Sequence, residues 1–262
     1  MPLTAVRPEP ACLIRLRPMA IDSDSPQHSV ARHWAVVPAA GVGSRMGTLC
    51  PKQYLELNGG SVIEHTLRRL ADHPAIAGVV VAIAEQDEYW PKLELNLSKP
   101  LWVAAGGAQR CDSVLSALHV LSPHAAEHDW VLVHDAARPC LRAADLSRLI
   151  DELSDDAVGG LLALPVSDTV KRADHSGRVA QTVDRRGLWR ALTPQMFRLA
   201  ALREALAGAL ARGEDITDEA AAMESAGHRP KLVAGHSDNI KITHPEDLAL
   251  AALYLRRKEN SS

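Results

Sequence analysis

Apolar residues along this chain follow two alternating spacings. Trp34 to Val37 is a short continuous apolar run, which reads as a buried strand. It breaks into Pro38-Ala39-Ala40-Gly41-Val42-Gly43, small residues and glycines. Ser61-Val62-Ile63-Glu64 has the form of a capping box, and Ile63, Leu67 and Leu70 then fall on one helical face. Gly78 to Ala84, GVVVAIA, is a β-branched run that predicts a central strand covered on both faces. Trp102 to Ala104 predicts a shorter strand. It runs into Gly106-Gly107, then Arg110, then Ser113, where a helix is expected to begin with Val114, Leu115 and Leu118 inward. Trp130 to Val133 and Gly159 to Leu164 predict two more strands, the first ending abruptly in His134-Asp135-Ala136-Ala137-Arg138-Pro139. Alternation at this pitch predicts βαβ units with helices on both faces of the sheet.

The pattern changes at Pro165. From there to Leu188 the chain alternates with period two on both sides of a turn at His175-Ser176-Gly177, which predicts a hairpin. Neither strand has a continuous apolar face, and a lone two-stranded hairpin is marginal in water. It is therefore expected to leave the globule as an arm and pack on a second subunit. The expected fold class is α/β: a Rossmann-like three-layer sandwich with a mostly parallel central sheet and a protruding β-hairpin arm. After Leu192-Thr193-Pro194-Gln195, Ala200 to Leu210 predicts an Ala/Leu helix. Asp218 and Glu219, following Thr217, read as capping groups of a helix N-terminus. Lys231 to Ala234 predicts a short strand. Asp238-Asn239-Ile240-Lys241 leads to Thr243, expected to cap the last helix through Glu246. Residues 1–31 hold many prolines and no sustained period, and are expected to be a disordered extension. Residues 32–258 then form a single domain, with the arm at about 165–188.

Composition narrows the partners. The formal net charge of -3 gives no global basic field for nucleic acid or a membrane surface. The four cysteines are scattered without a C-x-x-C, which fits a reducing cytoplasm better than a zinc site or disulfide framework. Arg15 and Arg17 interrupt the apolar residues near the N-terminus, which argues against a secretory signal.

Candidate chemistry gathers at three successive strand ends, where open α/β sheets bind ligands. The first is the glycine loop with Arg45 and Lys52. It is no Walker A loop, since no Gly-Lys-Ser/Thr closes it, and it has one residue too many for the dinucleotide pattern. An ordinary βα turn remains the plain alternative; the two cations favour a triphosphate. The second is Gly106-Gly107, either a simple turn or a bare backbone on which a flat base could lie, with Ser113 reading its edge. The third is Asp135 with Arg138. Asp135 could cap a helix, orient a substrate hydroxyl or hold a hydrated metal. His134 reads as structural, and the pair Arg185 and Arg186 as surface charge.

With these residues in place, the chain resembles the 2-C-methyl-D-erythritol 4-phosphate cytidylyltransferases of the non-mevalonate isoprenoid pathway. The matching segments are PAAGVGSRM, PKQY, GGAQRCDSV, VHDAARPC, PVSDTVKR, QTVDRRGLW, ALTPQ, ITDEAAA and DNIKITHPEDLALA, in the family's order over about residues 34–255. Ribitol-5-phosphate cytidylyltransferases share the glycine loop and are the nearest alternative. The resemblance implies CTP and methylerythritol phosphate as substrates. Arg45 and Lys52 would then stabilise the transition state at the α-phosphate. Ala39, Ala40, Gly41, Gly43 and Ala136 would contact the nucleotide, and Gly107, Ala108 and Ser113 would read the cytosine. Asp135, Arg138 and Thr193 would hold the acceptor. Thr169 and Arg185 lie on the arm, which in the family crosses into the partner's site of a homodimer. Arg185 and Lys241 would position the acceptor, Lys241 also holding phosphates. Magnesium is implied, carried largely by the triphosphate. Ala108 departs from the family, which often has an acidic residue there, so only a backbone contact is expected. Some relatives continue into a cyclase domain; none is expected in this chain. The implied chemistry suits the residues, because a phosphate monoester with a second pKa of about 6 is already a nucleophile near neutral pH. It needs cations rather than a general base. A regulator that only binds nucleotide would need the glycines but not the cations.

Overall fold

A computed structural model of the chain describes residues 31–41 and 50–259. The proline-rich extension over 1–30, and Gly43 and Arg45 of the glycine loop, lie outside the described residues.

Strand β1 is His33–Pro38, and a two-residue pair, β2 (Glu56–Leu57) and β3 (Gly60–Ser61), leads into helix α1 (Val62–Ala71). There follow β4 (Ile76–Ile83), β5 (Leu101–Ala105), α2 (Arg110–Leu121), β6 (Trp130–Val133), α3 (Ala143–Leu153) and β7 (Gly159–Pro165). The arm is β8 (Val170–Ala173) and β9 (Val179–Val183), and the chain returns through β10 (Trp189–Arg198). It ends with α4 (Leu199–Ala211), α5 (Glu219–Ser225), β11 (Lys231–Ala234) and α6 (Pro245–Glu259).

Seven strands form one sheet in the order β11-β7-β10-β6-β1-β4-β5. All neighbours are parallel except β10, which runs antiparallel to β6 and β7. The three layers follow from the two-residue period of a strand. Ala35, Val37, Val79 and Val81 pack towards α1 and α3, with Ile63, Leu67, Leu146 and Leu149. Trp34, Val36, Val80 and Ala82 face the other way, onto Val114 and Leu118 of α2 and Leu202 and Leu206 of α4. A third cluster joins Leu57 and Val62 to Ala137, Cys140, Ile242, Ala251 and Leu255. It seats α6 and the segment before it, and so fixes the approach of Lys241.

Local signals account for most boundaries. The Ser61 box is complete: its hydroxyl accepts from the Glu64 amide, and the Glu64 carboxylate accepts from the Ser61 amide. The helix expected at Ser113 starts earlier, at Arg110, because the Asp112 carboxylate takes the Gln109 amide at 2.9 Å and caps the extra turn. The last helix is capped by Asp247 rather than Glu246. Its carboxylate accepts the Thr243 and His244 amides, both at 2.8 Å. Pro245 takes the first helical position, where a missing N–H costs nothing, so the side chain two places further on is the one that can reach back.

Strand β10 is not legible from period. It carries Pro194, which cannot donate to a ladder, and its pairing with β7 shifts register between Ala191 and Gln195. The arm turn is closed by Asp174, whose carboxylate accepts the Ser176 amide, the Ser176 hydroxyl and the Arg178 amide. Apart from partly buried Val170 and Val183, both arm strands are exposed.

Candidate active site

The carboxyl ends of β1, β5 and β6 open onto one cavity of about 440 Å³. Because β10 alone is antiparallel, it is the beginning of β10, with Thr193 beyond the exposed Trp189, that lies along this edge. The cavity wall gathers Ala39, Ala40 and Gly41 from the first strand end, Gly107, Ala108 and Ser113 from the second, and Asp135 and Ala136 from the third. Lys52 and Lys241 complete it from two other segments. Ten of the residues singled out from sequence thus meet around one space.

The glycines are explained by packing as much as by access. A Cβ on Gly106 would overlap that of Ala40, and one on Gly107 would overlap that of Asp112. The bare backbone lets the second strand end close against the first loop and against its own helix. Ser113 is buried, and its hydroxyl is used to build this turn. It accepts the Gly107 amide at 3.0 Å and donates to the Gln109 carbonyl at 3.1 Å. Gln53, which sequence reasoning passed over, ties the first loop to the turn that carries Lys52. Its amide donates to the carbonyls of Ala39 and Gly41 at 2.8 and 3.1 Å. Lys52 itself donates to the Ile242 carbonyl at 2.8 Å, a bond that joins it to the segment of Lys241.

Asp135 is the electrostatic centre. Oδ1 accepts from Arg110 Nε at 3.1 Å, while Oδ2 accepts from Arg138 Nε at 3.3 Å and lies 3.0 Å from Lys241 Nζ. Burial alone would raise this carboxyl, but Arg110, Lys241 and Arg138 outweigh it and hold the group far below the usual carboxylate range. A carboxylate held so firmly ionised is a poor base. The capping role open to Asp135 from sequence is not the one its side chain takes.

Behind it, His134 is fully buried, which pushes its pKa down to about 4. Nε2 faces the Arg138 carbonyl and must carry the proton, so Nδ1 accepts from the Thr193 hydroxyl at 3.0 Å. Thr193 Oγ1 in turn accepts the Asp135 amide at 3.1 Å. Thr193 therefore supports Asp135 from the interior, and His134 is structural, as its sequence context suggests. Arg138 donates to the Asn239 carbonyl at 2.7 Å, and the Asn239 amide donates to the Thr193 carbonyl at 2.8 Å.

Of the two residues expected to cap a helix, one changes role. Asp218 does cap α5, accepting the Ala221 amide. Glu219 does not. It is fully buried and takes both terminal nitrogens of Arg110, at 2.6 and 3.0 Å. The two residues lie 109 positions apart, and the visible helix start had assigned Glu219 to a cap instead. Thr169 and Arg185 are exposed on or beside the arm and join none of these contacts among the described residues. Arg186 pairs with Asp184 on the arm surface.

The donor set does not suit a metal held by protein alone. Among the described residues no group of three or more His, Cys, Asp or Glu side chains could hold an ion, and Asp135 already faces three cations. Nor is any described helix long and apolar enough to cross a membrane.

This arrangement has close counterparts. The sequence profile of the 2-C-methyl-D-erythritol 4-phosphate cytidylyltransferase family matches residues 33–257. Enzymes of that name from Pseudomonas aeruginosa strain UCBPP-PA14 and Pseudomonas putida strain KT2440 are each 59% identical over 216 residues, 82% of this chain and 92% of theirs. A crystal structure of 4-diphosphocytidyl-2C-methyl-D-erythritol synthase superposes with a TM-score of 0.76 at 39% identity, covering 86% of this chain and 99% of that one. The Francisella tularensis cytidylyltransferase gives 0.74 at 34% identity, over 86% of this chain and all of that one. With its sheet order, its cation-ringed carboxylate and these matches in agreement, the chain belongs to the 2-C-methyl-D-erythritol 4-phosphate cytidylyltransferase family.

Proposed function

We infer that this chain is a cytidylyltransferase that joins CTP to 2-C-methyl-D-erythritol 4-phosphate. The products are 4-diphosphocytidyl-2-C-methyl-D-erythritol and pyrophosphate, in isoprenoid precursor biosynthesis. The observation that carries this reading is a cavity lined by Lys52, Arg110 and Lys241, in which the carboxylate of Asp135 faces three cations. A phosphate oxygen of the acceptor attacks the α-phosphorus of CTP. The bond from that phosphorus to the β-phosphate bridging oxygen breaks, and its electron pair leaves with pyrophosphate. The dianionic acceptor has no proton to lose, so catalysis rests on alignment and on neutralising negative charge.

In this reading Lys52 stabilises charge developing at the α-phosphate, with Arg45, outside the described residues, as its partner. Ala39, Ala40, Gly41 and Gly43 line the phosphate path. The backbone of Gly107 and Ala108 faces the cytosine, and Ser113 contributes by shaping their turn. Asp135 takes an acceptor hydroxyl, with Arg138 and Thr193 holding it in place, and Lys241 reaches phosphate. Magnesium enters as the metal complex of the triphosphate, hence as part of the substrate. Arg185 and Thr169 act from the arm of a second copy in a homodimer, where the exposed Val179, Leu188 and Trp189 would find cover. The cytoplasm supplies both substrates.

The deciding assay is pyrophosphate release with CTP and Mg²⁺, comparing methylerythritol 4-phosphate with ribitol 5-phosphate. Turnover with the first is expected. Turnover with the second alone would move the enzyme to another pathway, and release with neither, despite CTP binding, would make it a nucleotide-binding regulator. Arm exchange has its own test. Mixing Lys52→Ala with Arg185→Ala subunits should rebuild one intact site in mixed dimers; no recovery of activity would exclude a shared site.

A further inference from the structure

Glu219 lies outside the cavity wall, with its side chain 1% exposed. It is held there on both sides. Gln195 of β10 donates to Asp218 and accepts the Ala220 amide, each at 2.8 Å, and so clamps the residues that flank it. From this position Glu219 takes both terminal nitrogens of Arg110. Arg110 is left with Nε alone for Asp135. A guanidinium carries five N–H groups, and the fork made by its two terminal nitrogens can serve one carboxylate at a time. Here the buried carboxylate wins it.

The consequence falls on Asp135. An ionised carboxylate offers about four lone-pair sites. Among the described residues three are taken: one on Oδ1 by Arg110, two on Oδ2 by Arg138 and Lys241. One remains, on Oδ1, and Asp135 is among the residues that line the cavity. Were Arg110 to turn its fork onto Asp135, that last site would be filled. We propose that Glu219 is a positioning residue that keeps Arg110 from capping Asp135, and so leaves one carboxylate lone pair open for a hydroxyl of the acceptor. The inference rests on the reading of Asp135 as an acceptor-binding group.

A merely structural Glu219 would neutralise Arg110 and affect stability alone; a positioning Glu219 affects the acceptor KM. The Glu219→Met variant should raise the KM for methylerythritol 4-phosphate about tenfold, the worth of one charge-assisted hydrogen bond, and leave the KM for CTP unchanged. Adding Arg110→Met removes the fork, and should return the acceptor KM towards the wild-type value. An unchanged acceptor KM in the single variant, or a double variant no better than the single one, would overturn the proposal. Should the single variant fail to fold, Glu219→Gln, which withdraws one hydrogen-bond acceptor from the fork, replaces it in the same comparison. In the double variant a tenfold rise in the acceptor KM refutes the inference by making Arg110 itself the binding group. A crystal structure of substrate-free Glu219→Met, or of Glu219→Gln if the first does not fold, reads the same point without turnover. Arg110 found with its fork on Asp135 is expected; Arg110 left in place overturns the proposal. An inactive wild type would instead defeat the functional reading and leave that structure to judge Glu219.

Discussion

Arg110 and Arg186 each grip a carboxylate, and by distance the two grips are equal. Arg110 reaches Glu219 at 2.6 Å and Arg186 reaches Asp184 at 2.5 Å. Their surroundings differ. The side chains of the crevice pair are 26% and 1% exposed; those of the arm pair are 89% and 58% exposed. In the arm, water screens the attraction and both side chains lose rotamer freedom to meet, so little stability is gained. In the crevice Glu219 is shut off from solvent, and the same guanidinium also bonds a third group, Asp135. Similar distances thus stand in different surroundings, with solvent around the arm pair and a buried carboxylate in the crevice pair. The arm has few buried side chains to hold it besides its β8–β9 ladder, its Asp174 turn and whatever it packs against.

The strongest way to break this contrast is to remove one carboxylate from each region. Glu219→Met leaves a half-buried cation with one partner fewer and should lower the unfolding free energy by about 1.5–3 kcal/mol. Asp184→Ala should leave the urea midpoint unchanged. Similar losses in both would show that burial is not what separates the pairs. A catalytic comparison is of the same order. Lys52→Ala should lower kcat by about 10²–10³-fold with little change in the KM for CTP, the usual cost of losing one group aimed at developing charge. Arg186→Ala should leave kcat as it was. An unchanged kcat in the first variant removes Lys52 from the mechanism.

Acidification sharpens the contrast further. His134 has a folded pKa of about 4, below the unfolded value of about 6.5. The unfolded chain therefore binds the proton first. The stability this residue contributes is complete above pH 6.5 or so and is lost as the pH falls towards 4, by on the order of 3 kcal/mol. Asp135, whose folded pKa is depressed, extends the loss below the unfolded carboxyl value of about 4. Urea unfolding between pH 7 and 4 should show a steeper slope in the wild type than in His134→Gln, the remainder coming from His33 and His73, which burial also lowers; equal slopes would assign the effect elsewhere. The smallest effect belongs to the arm turn. Asp174→Ala should speed amide exchange at Ser176 and Arg178, while the melting midpoint of the globule stays where it was. A shifted midpoint would mean that the arm folds as one unit with the rest.

What was legible in advance was whatever a few neighbouring residues decide together. Strand runs such as Trp34 to Val37 declare two buried faces by their continuity, and the β1 and β4 side chains do divide between the two helical layers. The Ser61 box and the Asp218 cap are three-residue bonds, and both stood in the sequence. The hairpin turn was readable for the same reason. That candidates from three strand ends gather around one cavity was readable too, because open α/β sheets place their loops at one edge.

Tertiary structure decided what those residues do to one another. Asp135 meets Arg110 across 25 positions, and Arg110 meets Glu219 across 109. Local reading assigned Glu219 to a cap because the helix start was visible and the distant arginine was not. Ser113 and Thr193 were given to ligands, yet their hydroxyls bond to Gly107, Gln109, His134 and Asp135, contacts that exist only once the strand ends converge. The direction of β10 was hidden for a related reason, since a strand's sense depends on the path by which the arm returns and leaves no mark on its own period. Sequence by itself determined the elements and the residue types available to a phosphoryl-transfer site. Only the folded chain decided which carboxylate is buried, and burial sets the strength of every charge beside it.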